Sequence, residues 1–458
     1  MPFDSTPVCN TKPHWSSCRN GNLNQQSEPE FLDEIGSRKP DRSRILPKLK
    51  VLMLTSNLGY GGAEASFLRL ANYLSRHVEV EVLIFSASYS SGGYHEIDAR
   101  SICNLRELDK WFERKSWIKK FKLLKWLYYY IQLFRYKQKF DIVLSFLSGP
   151  NLLNAVVVGR AKVVSSIRGP RIADASLSRY TRFIWTYLCD ALILLGSDRV
   201  VCASSGIACE YSARFPLFHR KVSAIEGTVD SKALLSLSSD SYGEAVQLKD
   251  FITICSWGRL HRSKGFDFLI EVFSNLRQKL ISARLLIIGD GPEYTNLVDL
   301  CSKYNLTVGS AVNPLVYDVM LIGYRQNPNH FLPYCELFAL TSRWEGLPNA
   351  LIEALAMGTR VLATNCCTSI SEAQSHVANC LVGSTFSISD YFRILPPPDD
   401  NDSMRAWEDI LINVLSRSPP RLPFALREAI VEKYDMNTVG PHWLEVISSL
   451  GSPNGTVT

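Results

Sequence analysis

Two pairs of charged side chains could do chemistry on an anion. The stretch SRWEGLPNALIEAL, residues 342–355, places Glu345 and Glu353 eight positions apart around Pro348, and GRLHRSKG places Arg259 and Lys264 five apart. A guanidinium fork and an ammonium can hold a diphosphate and neutralise charge on a departing phosphate. The plainer reading of Arg259 and Lys264 is a solvated basic loop. Two carboxylates working as a hydrolytic pair must sit roughly 5 to 9.5 Å apart across a scissile bond. Eight helical residues span about 12 Å, so the spacing gives that pairing no direct support. The alternative is a cradle: free N–H groups around Gly346 to Ala350 receive an anion, and a carboxylate on each side accepts from hydroxyls. The plainer reading makes Glu345 a capping acid and Glu353 a helix-surface acid.

These side chains need elements to position them. CELFALTS reads as a strand, Pro348 suits the first turn of a helix, and NALIEALAM is a helix that Gly358 can end. FITICSW is an apolar strand running into the basic loop. A further glycine loop, NLGYGGAE, sets Gly59, Gly61 and Gly62 between a strand at 51–55 and a helix starting near Ala63. Small residues there let backbone N–H groups approach an anion or sugar. No Lys-Ser/Thr follows and no dinucleotide fingerprint is complete, so a tight turn is the plainer reading. GDGP, residues 289–292, is another strand-end turn.

The wider chain repeats this grammar. Continuous apolar strands followed by loops and amphipathic helices imply parallel sheets covered on both faces. The fold class expected is α/β, with two doubly wound Rossmann-like domains facing a central cleft. Residues 1–47 are polar and rich in Ser, Asn and Pro, as a mobile extension would be; 48–235 form a first domain, the serine-rich 236–250 a linker, 251–430 a second domain, and 431–450 a C-terminal helix.

With 458 residues, 46% hydrophobic and 21% charged, the chain exceeds one ordinary core, and a net charge of +6 does not mark a dedicated nucleic-acid binder. The 12 cysteines are scattered without CxxC modules, which argues against a disulfide scaffold and a zinc site. A cytoplasmic chain is expected: the N-terminus lacks a signal-peptide pattern, and no apolar run reaches about 18 residues. Residues 114–140 carry nine Lys/Arg, no acid and interleaved aromatics. Such a segment can lie on an anionic membrane surface; an ordinary helix with a basic face, or nucleic acid, fits the same pattern.

Taken in order, GYGGAE, GRLHRSKGFDFLIEVF, LLIIGDGPEYTNL and FLPYCELFALTSRWEGLPNALIEALAMGTRVLAT resemble the family-4 retaining glycosyltransferases of the GT-B fold. The resemblance covers about residues 49–450 and is densest over 251–365. It implies a nucleoside-diphosphate sugar, most often a UDP-sugar, bound mainly by the second domain. Arg259 and Lys264 would grip the diphosphate, with Glu345 on the sugar hydroxyls, the Gly346 and Leu347 amides on phosphate or sugar, and Glu353 on the ribose. Gly61 and Gly62 would close on the donor from the first domain. The leaving phosphate would help deprotonate the acceptor, with no metal and no other cofactor, and the C-terminal helix would cross back to the first domain. The chain departs from the family where relatives carry a first-domain histidine, for which Arg168 in SSIRGPR is the local match. It departs again at TNCCTSISEA, which replaces a segment containing glycine and proline, and at a longer stretch over 307–328.

The function expected is transfer of a hexose or N-acetylhexosamine to a glycan or lipid-linked acceptor, with peripheral membrane contact through 114–140 and no nucleic acid. The rivals are a catalytically silent donor-binding partner subunit, and a nucleotide-sugar epimerase or sugar phosphorylase of the same fold.

Overall fold

Strand after strand is sealed from water on both sides. Every residue of Ala283–Ile288 is buried, as are Ile142–Phe146 and Arg360–Thr364, which is why these segments read as unbroken apolar runs rather than alternating ones. The computed structural model describes residues 49–59, 61–85, 104–108, 122–169, 178–236, 243–279, 282–384, 387–398, 401–416 and 421–451. The expected extension over 1–47 and the start of the basic segment, 114–121, lie outside the described residues.

Two seven-stranded sheets, all parallel, organise the chain. The first has the order β3-β2-β1-β4-β5-β6-β7, from β1 (Lys50–Thr55), β2 (Glu79–Ile84), β3 (Asn104–Glu107), β4 (Ile142–Phe146), β5 (Lys162–Ile167), β6 (Arg199–Cys202) and β7 (Val222–Ala224). The second repeats the arrangement as β10-β11-β9-β8-β12-β13-β14, from β8 (Ile252–Trp257), β9 (Ala283–Ile288), β10 (Val308–Gly309), β11 (Val319–Leu321), β12 (Leu337–Leu340), β13 (Arg360–Thr364) and β14 (Phe392–Leu395). Strand order reverses between β1 and β4 and between β8 and β12, and such reversals open a crevice at the strands' carboxyl ends. The glycine loop follows β1, the basic loop follows β8 and the acidic loop follows β12, so all three leave a switch point.

Helices form a layer on each face of the first sheet. On one side Leu52, Leu54 and Val143 pack against α2 (Lys122–Lys137) and α3 (Ser148–Val156) through Tyr129, Leu133 and Leu153. The same layer continues into a rod made of α4 (Arg179–Phe183), a π-helical turn (Ile184–Cys189) and α5 (Asp190–Gly196). On the other side the alternate residues Val51, Met53 and Leu144 meet α1 (Gly62–Ser75) through Phe67. In the second half, α6 (Phe266–Lys279), α7 (Asn349–Ala356) and α8 (Thr368–Cys380) cover the sheet.

The chain crosses between the halves twice. Going out, Val229 donates its N–H to the Tyr434 carbonyl at 3.0 Å and bridges to Asp435, so the two crossings run side by side. Coming back, α9 (Met436–Gly451) lies on α1, with the Trp443 ring 6.0 Å from that of Phe146 and Val439, Trp443 and Ile447 in the first core. Burying each such side chain contributes about 1.5 to 3 kcal/mol, enough to hold the C-terminus on the opposite half. The segment expected as a solvated linker, 236–250, differs in its second part. Ala245 and Leu248 are fully buried in the second core, the i, i+3 spacing of a 3-10 turn over Ala245–Leu248 placing both on one side, and Glu244 pairs with Arg325 at 2.8 Å.

Candidate active site

The basic loop is shaped by backbone collisions. Gly265 sits in the left-handed region (φ +64°), and a Cβ there would strike the Thr341 carbonyl. The aliphatic chain of Lys264 folds over Gly258, within 3.2 Å of where a Cβ would stand. The GDGP turn presses on the same loop from below: Leu260 donates its N–H to the Asp290 carbonyl at 2.9 Å, and a Cβ on Gly289 or Gly291 would collide with the carbonyls of Gly258 or Leu260. GDGP is thus a turn that also sets the height of Arg259.

The acidic loop is tied to the basic one. Arg343 forks onto both oxygens of Asp267 at 2.7 and 2.8 Å, and its own N–H donates to the Ser263 carbonyl at 2.7 Å. Held this way, Glu345 Oε1 receives the Lys264 ammonium and the Ser342 hydroxyl, the latter at 2.7 Å. Glu345 belongs to the loop and Glu353 to α7, as the strand, proline and helix pattern implies. Gly346 is buried, and a Cβ there would collide with the Arg168 carbonyl from the first half. Its carbonyl accepts from the Cys367 thiol and the Ser369 hydroxyl. The divergent TNCCTSISEA stretch therefore supports the loop from behind.

Glu353 is not a surface acid. It is half-buried, faces Arg69 of α1 at 3.9 Å, and accepts from the Trp257 indole N–H. Burial pushes its carboxyl above the usual range, while the Arg69 guanidinium and the Trp257 N–H pull it back. Arg69 is pushed down by the same burial and held up by Glu353 and Asp230, and it also bonds the Thr228 carbonyl. Asn349, on the first turn of α7, donates to the Gly62 carbonyl at 3.0 Å.

The first half supplies the opposite wall. Gly61 caps α1 with extended backbone, Gly62 is exposed, and the first-turn N–H groups of this 14-residue helix open beside them. Glu64 bends back so far that a Cβ on Gly61 would meet its carboxylate; burial raises its carboxyl above the usual range, and Arg259 lowers it. Arg259 itself is exposed and makes no hydrogen bond or ion pair among the described residues. Arg168 lies over the Phe146 ring at 5.1 Å, and burial pushes its guanidinium down to about 10, which leaves it a cation at neutral pH. A Cβ on Gly227 would stand 3.0 Å from Leu347, 3.3 Å from Asn349 and 3.6 Å from Arg168, which gathers these residues at one seam.

Every candidate read from the sequence thus borders one cleft: Arg259, Lys264, Glu345, Gly346, Leu347 and Glu353 from the second half, Gly61, Gly62 and Arg168 from the first. Glu64, Arg69 and Asn349 belong with them and were not singled out. Arg69 is the lone cation of α1 and Asn349 directly follows Pro348, faint signals whose meaning depends on the facing half. Two parallel α/β sheets facing across such a crevice, with cations and carboxylates converging from both, form the two-domain architecture of the GT-B fold.

Comparison with known proteins narrows this class. The Glycosyltransferase Family 4 model matches residues 60–232 and the Glycosyl transferases group 1 model matches residues 252–390, together more than half of the chain. The chain belongs to the family-4 type of GT-B glycosyltransferases. An uncharacterized glycosyltransferase of Methanocaldococcus jannaschii is 29% identical over 200 residues, covering 43% of this chain and 47% of that relative, so the chain spans less than half of its length. A Campylobacter jejuni enzyme, N-acetylgalactosamine-N,N'-diacetylbacillosaminyl-diphospho-undecaprenol 4-alpha-N-acetylgalactosaminyltransferase, is 26% identical over 313 residues, covering 68% of this chain and 79% of the relative. Among solved structures, Anabaena HepE in complex with UDP and glucose superposes with a TM-score of 0.66 at 15% identity, over 88% of this chain and 100% of that one.

Proposed function

We propose that this glycosyltransferase moves a hexose or N-acetylhexosamine from a UDP-sugar to a glycan or lipid-linked acceptor, with retention of anomeric configuration. The observation that carries the reading is the convergence of Lys264 on Glu345 at the carboxyl ends of β8 and β12, with Glu353 eight residues on and the Gly61–Gly62 loop opposite. Arg259 and Lys264 hold the donor diphosphate and take up the charge that develops as the bond from the sugar C1 to the phosphate oxygen breaks. Glu345 accepts from sugar hydroxyls, the Gly346 and Leu347 amides meet phosphate or sugar, and Glu353 accepts from the ribose. The acceptor oxygen bonds to C1 on the face the phosphate leaves, and the departing phosphate oxygen takes the acceptor's proton. These cations serve in place of a metal ion. Arg168, at the seam, binds substrate from the first half, in the role that the resemblance gives to a first-domain histidine.

Support comes from the relatives. HepE has structures with UDP and with UDP-glucose, and the Campylobacter enzyme is named for a diphospho-undecaprenol acceptor. No described helix is long and apolar enough to cross a membrane. Contact with a lipid-linked acceptor is made at the membrane surface by the basic, aromatic segment 114–140.

The test is a thermal-shift panel of nucleoside diphosphates and their sugars in EDTA, on the wild type and on Lys264→Ala. Stabilisation by UDP or UDP-sugars, weakened in the variant, is expected. Stabilisation by another base only, or an unchanged shift in Lys264→Ala, would overturn the donor or the site respectively.

A further inference from the structure

The rod from Arg179 to Gly196 turns a second apolar face to water. Tyr180, Phe183, Tyr187, Leu188, Leu192 and Leu195 are 75, 62, 51, 57, 37 and 60% exposed, spaced mostly three or four residues apart along one stripe. The rod's core side is already occupied by Cys189, Ile193 and Leu194. A helix apolar on both sides normally lies inside something. Its neighbour extends the face: Trp126, Leu127 and Ile131 of α2 are between 42 and 54% exposed. Between them, α3 joins the two. Gly196 sits so close to α3 that a Cβ would collide with the Ala155 carbonyl, and the Lys137 ammonium of α2 donates to the Asn154 and Val157 carbonyls at 2.5 and 2.6 Å. Val158, just beyond, is 67% exposed.

We infer that this three-helix layer is a docking face for an anionic lipid bilayer, with the helices lying in the interface. Charge complementarity selects that occupant. α2 has no acid, and the rod's only one, Asp190, is buried and paired with Arg214 at 3.2 Å. Arg135, Lys139 and Arg160 are exposed around the layer. Aromatic and aliphatic side chains in the interface, with lysine and arginine toward the headgroups, are the arrangement that holds a helix flat on such a surface. In a parallel sheet the crossover helices run back from the strands' carboxyl ends, so Trp126, Tyr180 and Phe183, early in their helices, lie toward the cleft. A bilayer seated there would present a lipid-borne acceptor beside the site. The inference rests on the proposed lipid-linked acceptor for its purpose and not for its binding chemistry.

Full-length protein is sedimented with vesicles of phosphatidylcholine alone and of phosphatidylcholine mixed with phosphatidylglycerol. The mixed vesicles are expected to bind about tenfold more tightly, with added salt weakening the interaction. A Phe183→Ser/Leu188→Ser double variant is expected to bind about tenfold more weakly while keeping its UDP thermal shift, which separates this test from that of the donor site. Should that variant unfold, Arg135→Glu/Arg160→Glu changes two exposed cations and is expected to lose the preference for mixed vesicles. No binding by the wild type, or undiminished binding by a folded variant, would overturn the inference. A concentration-dependent dimer in ultracentrifugation, lost in the variant and without vesicle binding, would assign the face to a second copy instead.

Discussion

Lys264 and Glu345 meet at one carboxylate oxygen that also accepts from Ser342, so neither side chain can be altered alone. Lys264→Ala is expected to lower kcat/KM for sugar transfer by about 2 to 3 kcal/mol through loss of a charge-assisted contact. Glu345→Ala should reduce turnover strongly with the fold retained. Because each single change strands the other charge, the double variant should cost measurably less than the sum. Steady-state kinetics on all four proteins checks this, and strict additivity would mean the two act independently. The types and spacing of these residues were legible in the sequence, because loops that follow strands in an α/β pattern must lie at one end of the sheet. Arg69 was not, since its meaning comes from Glu353 across the cleft.

At the scale of elements, α2 and α3 are joined by a buried cation. Burial pushes Lys137 down to about 8 from the ordinary 10.5, and Asp198 pulls it back up. A lysine whose folded pKa lies below its unfolded one binds fewer protons in the folded state across that window, so folding stability rises with pH between the two values. Wild type is therefore expected to gain stability relative to Lys137→Met between about pH 8 and pH 10.5, as measured by urea denaturation. A flat difference would show that the two carbonyls keep the ammonium charged. The basic loop offers a second check. Gly265→Ala places a Cβ in the left-handed region against the Thr341 carbonyl, and a loss of about 1 to 3 kcal/mol of stability is expected from the same measurement.

For the molecule as a whole, the seam is closed by contacts from both halves, and at Gly346 there is no room for an extra methyl group. Gly346 against the Arg168 backbone, Asn349 on the Gly62 carbonyl and Arg69 facing Glu353 all bridge the halves within one packed unit. Gly346→Ala should therefore leave both sheets folded by circular dichroism, increase the radius of gyration in small-angle scattering, and lower turnover at least about tenfold by misplacing the facing groups. Unchanged scattering with normal activity would show that the seam yields without consequence. The C-terminal helix limits how far the halves can part, since Trp443 is anchored in the first core while Tyr434 belongs to the second.

By itself the sequence determined the parallel α/β architecture, the strand-loop-helix placement of Arg259, Lys264, Glu345 and Glu353, and the family resemblance. The first two follow from local periodicity, turn residues and spacing along one segment, and the resemblance from four motifs taken in order along the chain. Only the tertiary structure decided that Glu353 faces Arg69, that Arg168 touches the Gly346 loop, and that Ala245 and Leu248 belong to a core rather than a linker. It also decided that the rod over 179–196 keeps an apolar face outside. The physical reason is common to these cases: contact between residues far apart in the chain, or the side from which a helix is covered, is set by how the two sheets and their layers pack, and no local pattern encodes it.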